Sequence, residues 1–156
     1  LARMAAEAGV KARLSRAPAI DVLAASDAAV VTSGTATLEA AIAGVPFVIV
    51  YKVSGVTAAL GRLLIGVKNI GLVNIVAGRR VVPELLQEDA SPDEIVRAVR
   101  PWLTDRASRA GMEKDLDEVR RRLGPPGASA RAAEAVISIV GRRVPMEKSE
   151  ERVGHA

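Results

Sequence analysis

Continuously apolar runs alternate, in the first half of the chain, with segments typical of helices. The runs Ala28–Thr32 and Phe47–Tyr51 lack the polar alternation of a half-exposed strand, as expected when a parallel sheet is covered on both faces. Between them lies the Ala-rich segment Thr35–Ala43, which Gly44 follows as a helix stop. Strands that alternate with helices at this spacing predict a doubly wound α/β fold.

The rest of the chain adds weaker strand signals and stronger helix signals. We predict short strands at Val10–Leu14 and Asn69–Ile75, and a helix at Val56–Val67. Ser91-Pro92-Asp93-Glu94 has the form of a capping box and predicts a helix that ends near Leu103.

The last third of the chain predicts helices and then a tail. A charged helix is expected from Thr104 to about Leu123, and a second from Ala128 to about Gly141. The basic run 120–122 predicts a solvated helix end that complements the helix dipole. The expected organisation is one α/β domain over residues 1–103, C-terminal helices over 104–141 and a disordered tail over 142–156.

Composition removes most of the side chains that enzymes use for chemistry. The 156 residues contain no Cys, and the single His, His155, lies in the polar tail. Disulfides, thiolate chemistry and His- or Cys-ligated metals are therefore not expected, and neither is a cofactor. Aromatic residues make up only 2%, which argues against a nucleic-acid partner bound by base stacking.

Net charge and the first residues of the chain bear on its partners, its location and its completeness. A net charge of +4 fits an anionic ligand, an anionic membrane surface or nucleic acid, without choosing among them. With no secretory signal and no apolar run of about 18 residues, a cytoplasmic location is expected. Because the chain begins with Leu and residues 1–16 resemble the middle of a domain, we expect a fragment of a longer protein.

The turn Ser33-Gly34-Thr35, between the first strand and its helix, is the main candidate for a binding site. A helix N-terminus carries unpaired N–H groups and a partial positive charge, so it can hold a phosphate. Glu39 lies one helical turn beyond Thr35 on the same face, where a carboxylate can accept hydrogen bonds from ribose hydroxyls. An ordinary capped helix with a surface Glu remains the alternative.

Four segments together resemble the C-terminal half of lipid-A-disaccharide synthase, a glycosyltransferase of the GT-B architecture. They are Ala25-Ser26-Asp27, SGTATLEAAIAGVPFVIVYKVS, NIGLVNIVAGRRVVPELLQ and SPDEIVRAVRPWL. The resemblance covers roughly residues 18–141, and the series from Asn74 to Gln87 is its narrower part. SGTATLE alone also fits other GT-B enzymes, such as the peptidoglycan glucosaminyltransferase or a UDP-GlcNAc epimerase. A non-catalytic nucleotide-binding module is a further alternative.

This resemblance implies a reaction, a location and partners. The family transfers 2,3-diacylglucosamine from its UDP derivative to lipid X (2,3-diacylglucosamine 1-phosphate), with inversion, and so forms the β-1,6 lipid A disaccharide and UDP. The chain would be the Rossmann-like donor-binding domain, truncated at its N-terminus, without the domain that carries the general base and without activity alone. A peripheral place at the inner face of the inner membrane and a homodimer by C-terminal exchange are also implied.

The resemblance also implies roles for single residues. Ser33, Gly34 and Thr35 match the diphosphate turn, and Glu39 matches the ribose-binding Glu of GT-B donor domains. Two further polar positions, Asn74 and Glu84, would line the donor cleft, and Arg79 would neutralise the diphosphate. Read as ordinary residues, Asn74 would end a strand, Glu84 would belong to a first helical turn and Arg79 would be a solvated loop residue.

Overall fold

The computed structural model describes residues 2–52 and 69–143, and the chain divides into two compact units, Leu1–Leu123 and Gly124–Ala156. In chain order the elements are α1 Ala2–Glu7, α2 Ala19–Ala24, β1 Ala29–Thr32, α3 Ala36–Ala43, β2 Phe47–Tyr51, α4 Leu72–Ala77, β3 Glu84–Leu86, a 3-10 turn Gln87–Asp89, α5 Pro92–Thr104, α6 Arg106–Leu123 and α7 Ala128–Arg143.

The first unit is built on a parallel sheet in the order β1-β2-β3. Ala29 lies opposite Phe47, and Ile49 lies opposite Glu84. Phe47, Val48 and Ile49 are all fully buried, so both faces of β2 are covered. The predicted Rossmann-like α/β sheet with flanking helices is confirmed, and the unbroken apolar run of β2 has the expected cause.

Helices α3, α4 and α6 cover one face of the sheet. The apolar core on this face contains Val31, Phe47, Ile49, Ala40, Ala41, Val73, Ala77, Leu116 and Val119. Burial of each large apolar side chain contributes about 1.5–3 kcal/mol, and this core therefore fixes where α3 and α4 meet the strands.

Helix α5 lies on the other face, where Ile95, Val96 and Val99 line a groove with Val30 of β1. It begins as the capping box predicts, because the Ser91 side chain accepts a hydrogen bond from the Glu94 N–H at 3.3 Å.

Arginines of α6 fasten this helix to the ends of two others. Arg120 Nη2 donates to the Ile42 carbonyl at 2.7 Å, and Arg122 Nη1 donates to the Ala77 carbonyl at 2.6 Å. Both carbonyls belong to C-terminal turns, which carry partial negative charge. The prediction of a merely solvated basic run is therefore incomplete, since two of its three arginines hold the helices together.

The second unit contains α7, whose side chains are exposed over residues 128–140. Arg131 donates to the carbonyls of Pro126 and Pro125 at 2.8 and 3.1 Å, so the turn before the helix is tied to its first turns. Among residues 2–52 and 69–143, no helix is long and apolar enough to cross a membrane. The domain boundary predicted at residue 104 and the exchange of the C-terminal helices stay predictions.

Two predicted strands are wrong. Residues 10–14 are irregular and exposed, because a strand needs a paired neighbour and no described strand lies beside them. The apolar run Asn69–Ile75 contains the start of helix α4, with Gly71 as its N-cap. Short apolar runs do not separate strand from helix by periodicity. The helix predicted at Val56–Val67 and most of the predicted tail lie outside the described residues.

Candidate functional site

The turn between β1 and α3 lies at the carboxyl end of the sheet, where ligands bind in open α/β folds. Strand β1 ends at Thr32 and α3 begins at Ala36, so only three residues connect them. Gly34 has a φ of 144°, a backbone angle that residues other than glycine rarely adopt. A Cβ at this position would nevertheless meet no atom within 4 Å. Glycine is therefore required here for the path of the backbone.

The first turn of α3 leaves N–H groups exposed to a ligand. The N–H groups of Thr37 and Leu38 are used inside the helix, on the carbonyls of Gly34 and Thr35 at 3.1 and 2.9 Å. Within the described part of the chain, the N–H groups of Gly34, Thr35 and Ala36 have no acceptor. Thr35 occupies the N-cap position, but its side chain makes no capping bond. The helix therefore begins without a side-chain N-cap hydrogen bond.

Ser33 is already engaged by the chain. Its Oγ donates to the carbonyl of Ile70 at 3.3 Å, which joins the turn to the segment before α4. A hydroxyl has a single proton, so in this arrangement Ser33 can accept a hydrogen bond but cannot also donate one to a phosphate. The backbone N–H groups of the turn are therefore the donors available to an anion.

Glu39 stands one helical turn beyond Thr35 on α3 and is partly exposed. Among the residues that the structure describes, its carboxylate has no hydrogen-bond or ion-pair partner. A free carboxylate next to unpaired N–H groups combines an acceptor with donors within one helix turn. This arrangement can bind a molecule that carries both an anionic group and hydroxyl groups.

Asn74 and Glu84 lie in a buried network behind the turn. Asn74 is fully buried, and 8% of Glu84 is exposed. Asn74 Nδ2 donates to Glu84 Oε1 and to the Val82 carbonyl, each at 2.8 Å, while its Oδ1 accepts from the N–H groups of Val81 and Val82, each at 2.9 Å. All four hydrogen-bonding positions of the amide are therefore used.

Both oxygens of the Glu84 carboxylate are also engaged, and three of its four acceptor positions are used. Its Oε2 accepts from the Ile70 N–H at 2.9 Å, and its Oε1 accepts from the Gly71 N–H at 3.0 Å as well as from Asn74. Among the described residues, no buried side-chain polar atom lacks a partner. The predicted role of Asn74 and Glu84 as cleft residues that touch the donor stays a prediction, because their polar atoms are spent inside the protein.

The structure does not bring Arg79 to the turn. Arg79 follows the C-terminus of α4, whereas Ile70, which contacts Ser33, precedes the N-terminus of that helix. Its Nη2 lies 2.7 Å from Asp115 Oδ1 and 2.9 Å from Glu118 Oε2 of α6, and these hydrogen bonds raise the pKa of the guanidinium. Arg79 would have to leave both carboxylates to reach a ligand at the turn, so its role on a diphosphate stays a prediction.

Sequence reasoning missed the backbone of Ile70 and Gly71. The segment lies between Ser33 and Glu84 and contacts both. A Cβ on Gly71 would run into Ile49 Cδ1 and would lie 3.2 Å from Glu84 Oε1, so the site has no room for a side chain. The Asn-Ile-Gly sequence before an apolar run is the only signal that pointed to a tight approach there.

Known proteins identify the family of this chain. The sequence model of the lipid-A-disaccharide synthetase family matches residues 4–139. The lipid-A-disaccharide synthase of Syntrophus aciditrophicus is 46% identical over 128 residues, which are 82% of this chain and 33% of the relative. The enzyme of the same name from Myxococcus xanthus is 48% identical over 132 residues, 85% of this chain and 34% of the relative.

The chain belongs to the lipid-A-disaccharide synthase family. The resemblance noted in the sequence is confirmed, and the peptidoglycan glucosaminyltransferase and UDP-GlcNAc epimerase considered there are set aside. A third relative, from Anaeromyxobacter dehalogenans, is 46% identical over 137 residues, or 88% of this chain and 36% of the relative. The chain thus spans about a third of the length of these relatives. The matched residues include the whole turn, Glu39 and the buried network.

Proposed function

We propose that the chain is the donor-binding part of a glycosyltransferase of lipid A synthesis. The donor is UDP-2,3-diacylglucosamine, the acceptor is lipid X, and the products are the β-1,6 lipid A disaccharide and UDP. One observation carries the proposal beyond family membership. The N-terminus of α3 is uncapped, with three unpaired N–H groups in the described chain, and the free carboxylate of Glu39 lies one turn away.

Each part of this arrangement has a counterpart in UDP. The N–H groups of Gly34, Thr35 and Ala36, together with the positive end of α3, hold the diphosphate. The Glu39 carboxylate accepts hydrogen bonds from the ribose hydroxyls. Ser33 orients the turn through Ile70 and can accept a hydrogen bond from the donor.

The proposed reaction needs only leaving-group stabilisation from these residues. The 6-hydroxyl of lipid X attacks the anomeric carbon of the donor sugar, and the bond from that carbon to the β-phosphate oxygen breaks. The electron pair leaves with UDP, and the hydroxyl proton passes to a general base expected in another part of the protein. Donors fixed at the N-terminus of α3 stabilise the negative charge that grows on the β-phosphate. They need no titrating side chain for this.

The acylated substrates place the protein at a lipid surface. The proposal includes a peripheral position at the inner face of the inner membrane and a homodimer that exchanges C-terminal helices. The net charge of +4 is compatible with an anionic surface.

Titration calorimetry of the 156-residue chain with UDP tests the proposed site. We expect weak binding, and Glu39→Ala should weaken it about tenfold, since a hydrogen bond to a charged group contributes about 1.5–3 kcal/mol. Glu134→Ala is the matched control, because Glu134 is an exposed helical Glu of the second unit.

Two results would count against the site. If the Glu39→Ala and parent chains bind UDP with equal affinity, the proposed contact between Glu39 and the ribose is wrong. Turnover of UDP-2,3-diacylglucosamine and lipid X by the chain alone would overturn the division of labour, because the general base is expected elsewhere.

A further inference from the structure

A continuous chain of hydrogen bonds connects the turn at the N-terminus of α3 with the buried pair Asn74 and Glu84. Ser33 Oγ donates to the Ile70 carbonyl at 3.3 Å. The next two N–H groups, of Ile70 and Gly71, donate to the two oxygens of Glu84 at 2.9 and 3.0 Å. The Ile70–Gly71 backbone is thus held from both sides.

Asn74 fixes Glu84 in turn. Its amide nitrogen lies 2.8 Å from Glu84 Oε1, and its amide oxygen accepts from Val81 and Val82 at 2.9 Å. Both side chains are rigidly placed, because every polar atom of the pair is bonded and both are buried. A Cβ at position 71 would collide with Ile49 and lie 3.2 Å from Glu84 Oε1, so the segment packs closely against both residues.

We infer that Glu84 and Asn74 are positioning residues for the diphosphate turn: they hold the Ile70–Gly71 backbone, which in turn orients Ser33 and the N–H groups that follow it. This inference rests on the proposed function of the turn. In this arrangement the two side chains act without a contact to the ligand of their own, and their effect on binding passes through Ser33.

We call this series of contacts, from Asn74 and Glu84 through Ile70–Gly71 to Ser33, the relay. The substitution Glu84→Gln tests it with little change in side-chain shape. The amide keeps one acceptor oxygen and replaces the other with a donor, so one of the N–H groups of Ile70 and Gly71 loses its acceptor. We expect the affinity of the 156-residue chain for UDP to fall about tenfold. Ser33→Ala should cause a similar loss, and Ser33→Thr, which keeps a hydroxyl, should restore most of it.

A double-mutant cycle separates positioning from direct contact. If Glu84 acts through Ser33, then Glu84→Gln adds little to the loss already caused by Ser33→Ala, and the coupling is large. Losses that multiply would overturn the relay, because they would show that Glu84 acts on UDP by another route. Arg122→Met is the control at the other end of α4, and its affinity for UDP should equal that of the parent chain.

Backbone order parameters of the ligand-free chain keep this test independent of UDP binding. Glu84→Gln and Ser33→Ala should each lower the NMR order parameters of Gly34 and Thr35, while Arg122→Met should not. If the parent chain does not bind UDP but the order parameters fall as expected, the proposed function fails and the positioning relay stands. Unchanged order parameters in folded Glu84→Gln and Ser33→Ala chains would overturn the relay itself.

Discussion

The two ends of the sheet differ in whether the hydrogen-bonding groups at the helix termini have partners. At the carboxyl end, the turn after β1 leaves the N–H groups of Gly34, Thr35 and Ala36 without acceptors in the described chain. At the other end, the C-terminal carbonyls of α3 and α4 accept hydrogen bonds from Arg120 and Arg122. We call the first end open, because its N–H donors have no acceptor among the described residues, and the second end closed, because arginines of α6 occupy its carbonyls.

This difference shows that three of the arginines serve the fold and are not available at the proposed ligand site. Arg79, Arg120 and Arg122 are all used at the closed end, on carboxylates or on helix carbonyls. At the open end, the turn after β1 presents unpaired backbone N–H groups and the positive end of the α3 dipole. The arginine side chains hold the helices together at the closed end, whereas the N–H groups of the turn after β1 stay free for the proposed ligand.

The largest expected effect comes from Asn74→Ala, which removes the residue that links Glu84 to the 81–82 backbone. The buried N–H groups of Val81 and Val82 would lose their acceptor, and Glu84 would lose a donor. Each buried group left without a partner costs about 1–3 kcal/mol, so the free energy of unfolding should fall by about 3 kcal/mol or more. Urea denaturation measures this.

Thr104→Ala is its control, since the hydroxyl of Thr104 is exposed and bonds only the Arg100 carbonyl. We expect a change within about 0.5 kcal/mol. A loss as small as this in Asn74→Ala would mean that the buried network is not needed for stability.

An intermediate effect is expected from Arg122→Met, which breaks the closed end alone. The Ala77 carbonyl would lose its donor, and Glu118 would lose one of its two cationic partners. The free energy of unfolding should fall by about 1 kcal/mol, a value reduced by exposure. Arg121→Met, at an exposed neighbouring position, should change little. If both variants lose the same stability, the docking role of Arg122 is wrong.

The smallest effect concerns acid. Hydrogen bonds from Arg79 and then Arg122 hold the pKa of Glu118 below its ordinary value of 4.5. A depressed pKa in the folded state means that Glu118 adds stability above the unfolded pKa and loses it as the pH falls through the folded value. The free energy of unfolding, measured as a function of pH, should therefore decrease as the pH falls below about 4.5. The decrease should be less steep in Glu118→Gln. Parallel acid limbs in the two chains would contradict this.

The sequence predicted the open end better than the closed one. The apolar runs of β1 and β2, the helix α3 and the turn between them were all evident, because a strand, a glycine turn and a helix are adjacent in the chain. The partners of Arg79, Arg120 and Arg122 were not, since each bond joins residues at least 36 positions apart. Long-range pairing depends on how helices pack, which local patterns do not encode.

The buried network shows the same limit in another form. The sequence predicts Asn74 and Glu84 as polar residues that face a ligand, and in the structure both bond to backbone groups of neighbouring segments. In the sequence, a polar residue within an apolar run looks the same whether it binds a ligand or bonds to the protein itself. Only the fold tells whether its partner is a ligand or the protein.

The most direct measurement is the map of amide chemical shifts while UDP is added to the labelled chain. We expect the signals of Gly34, Thr35 and Ala36 to move most, and those of Gly44 and Gly78, at the C-caps of α3 and α4, to stay in place. Large shifts at Gly44 and Gly78 with an unmoved turn would contradict the account, because the diphosphate would then lie at the end that the arginines close.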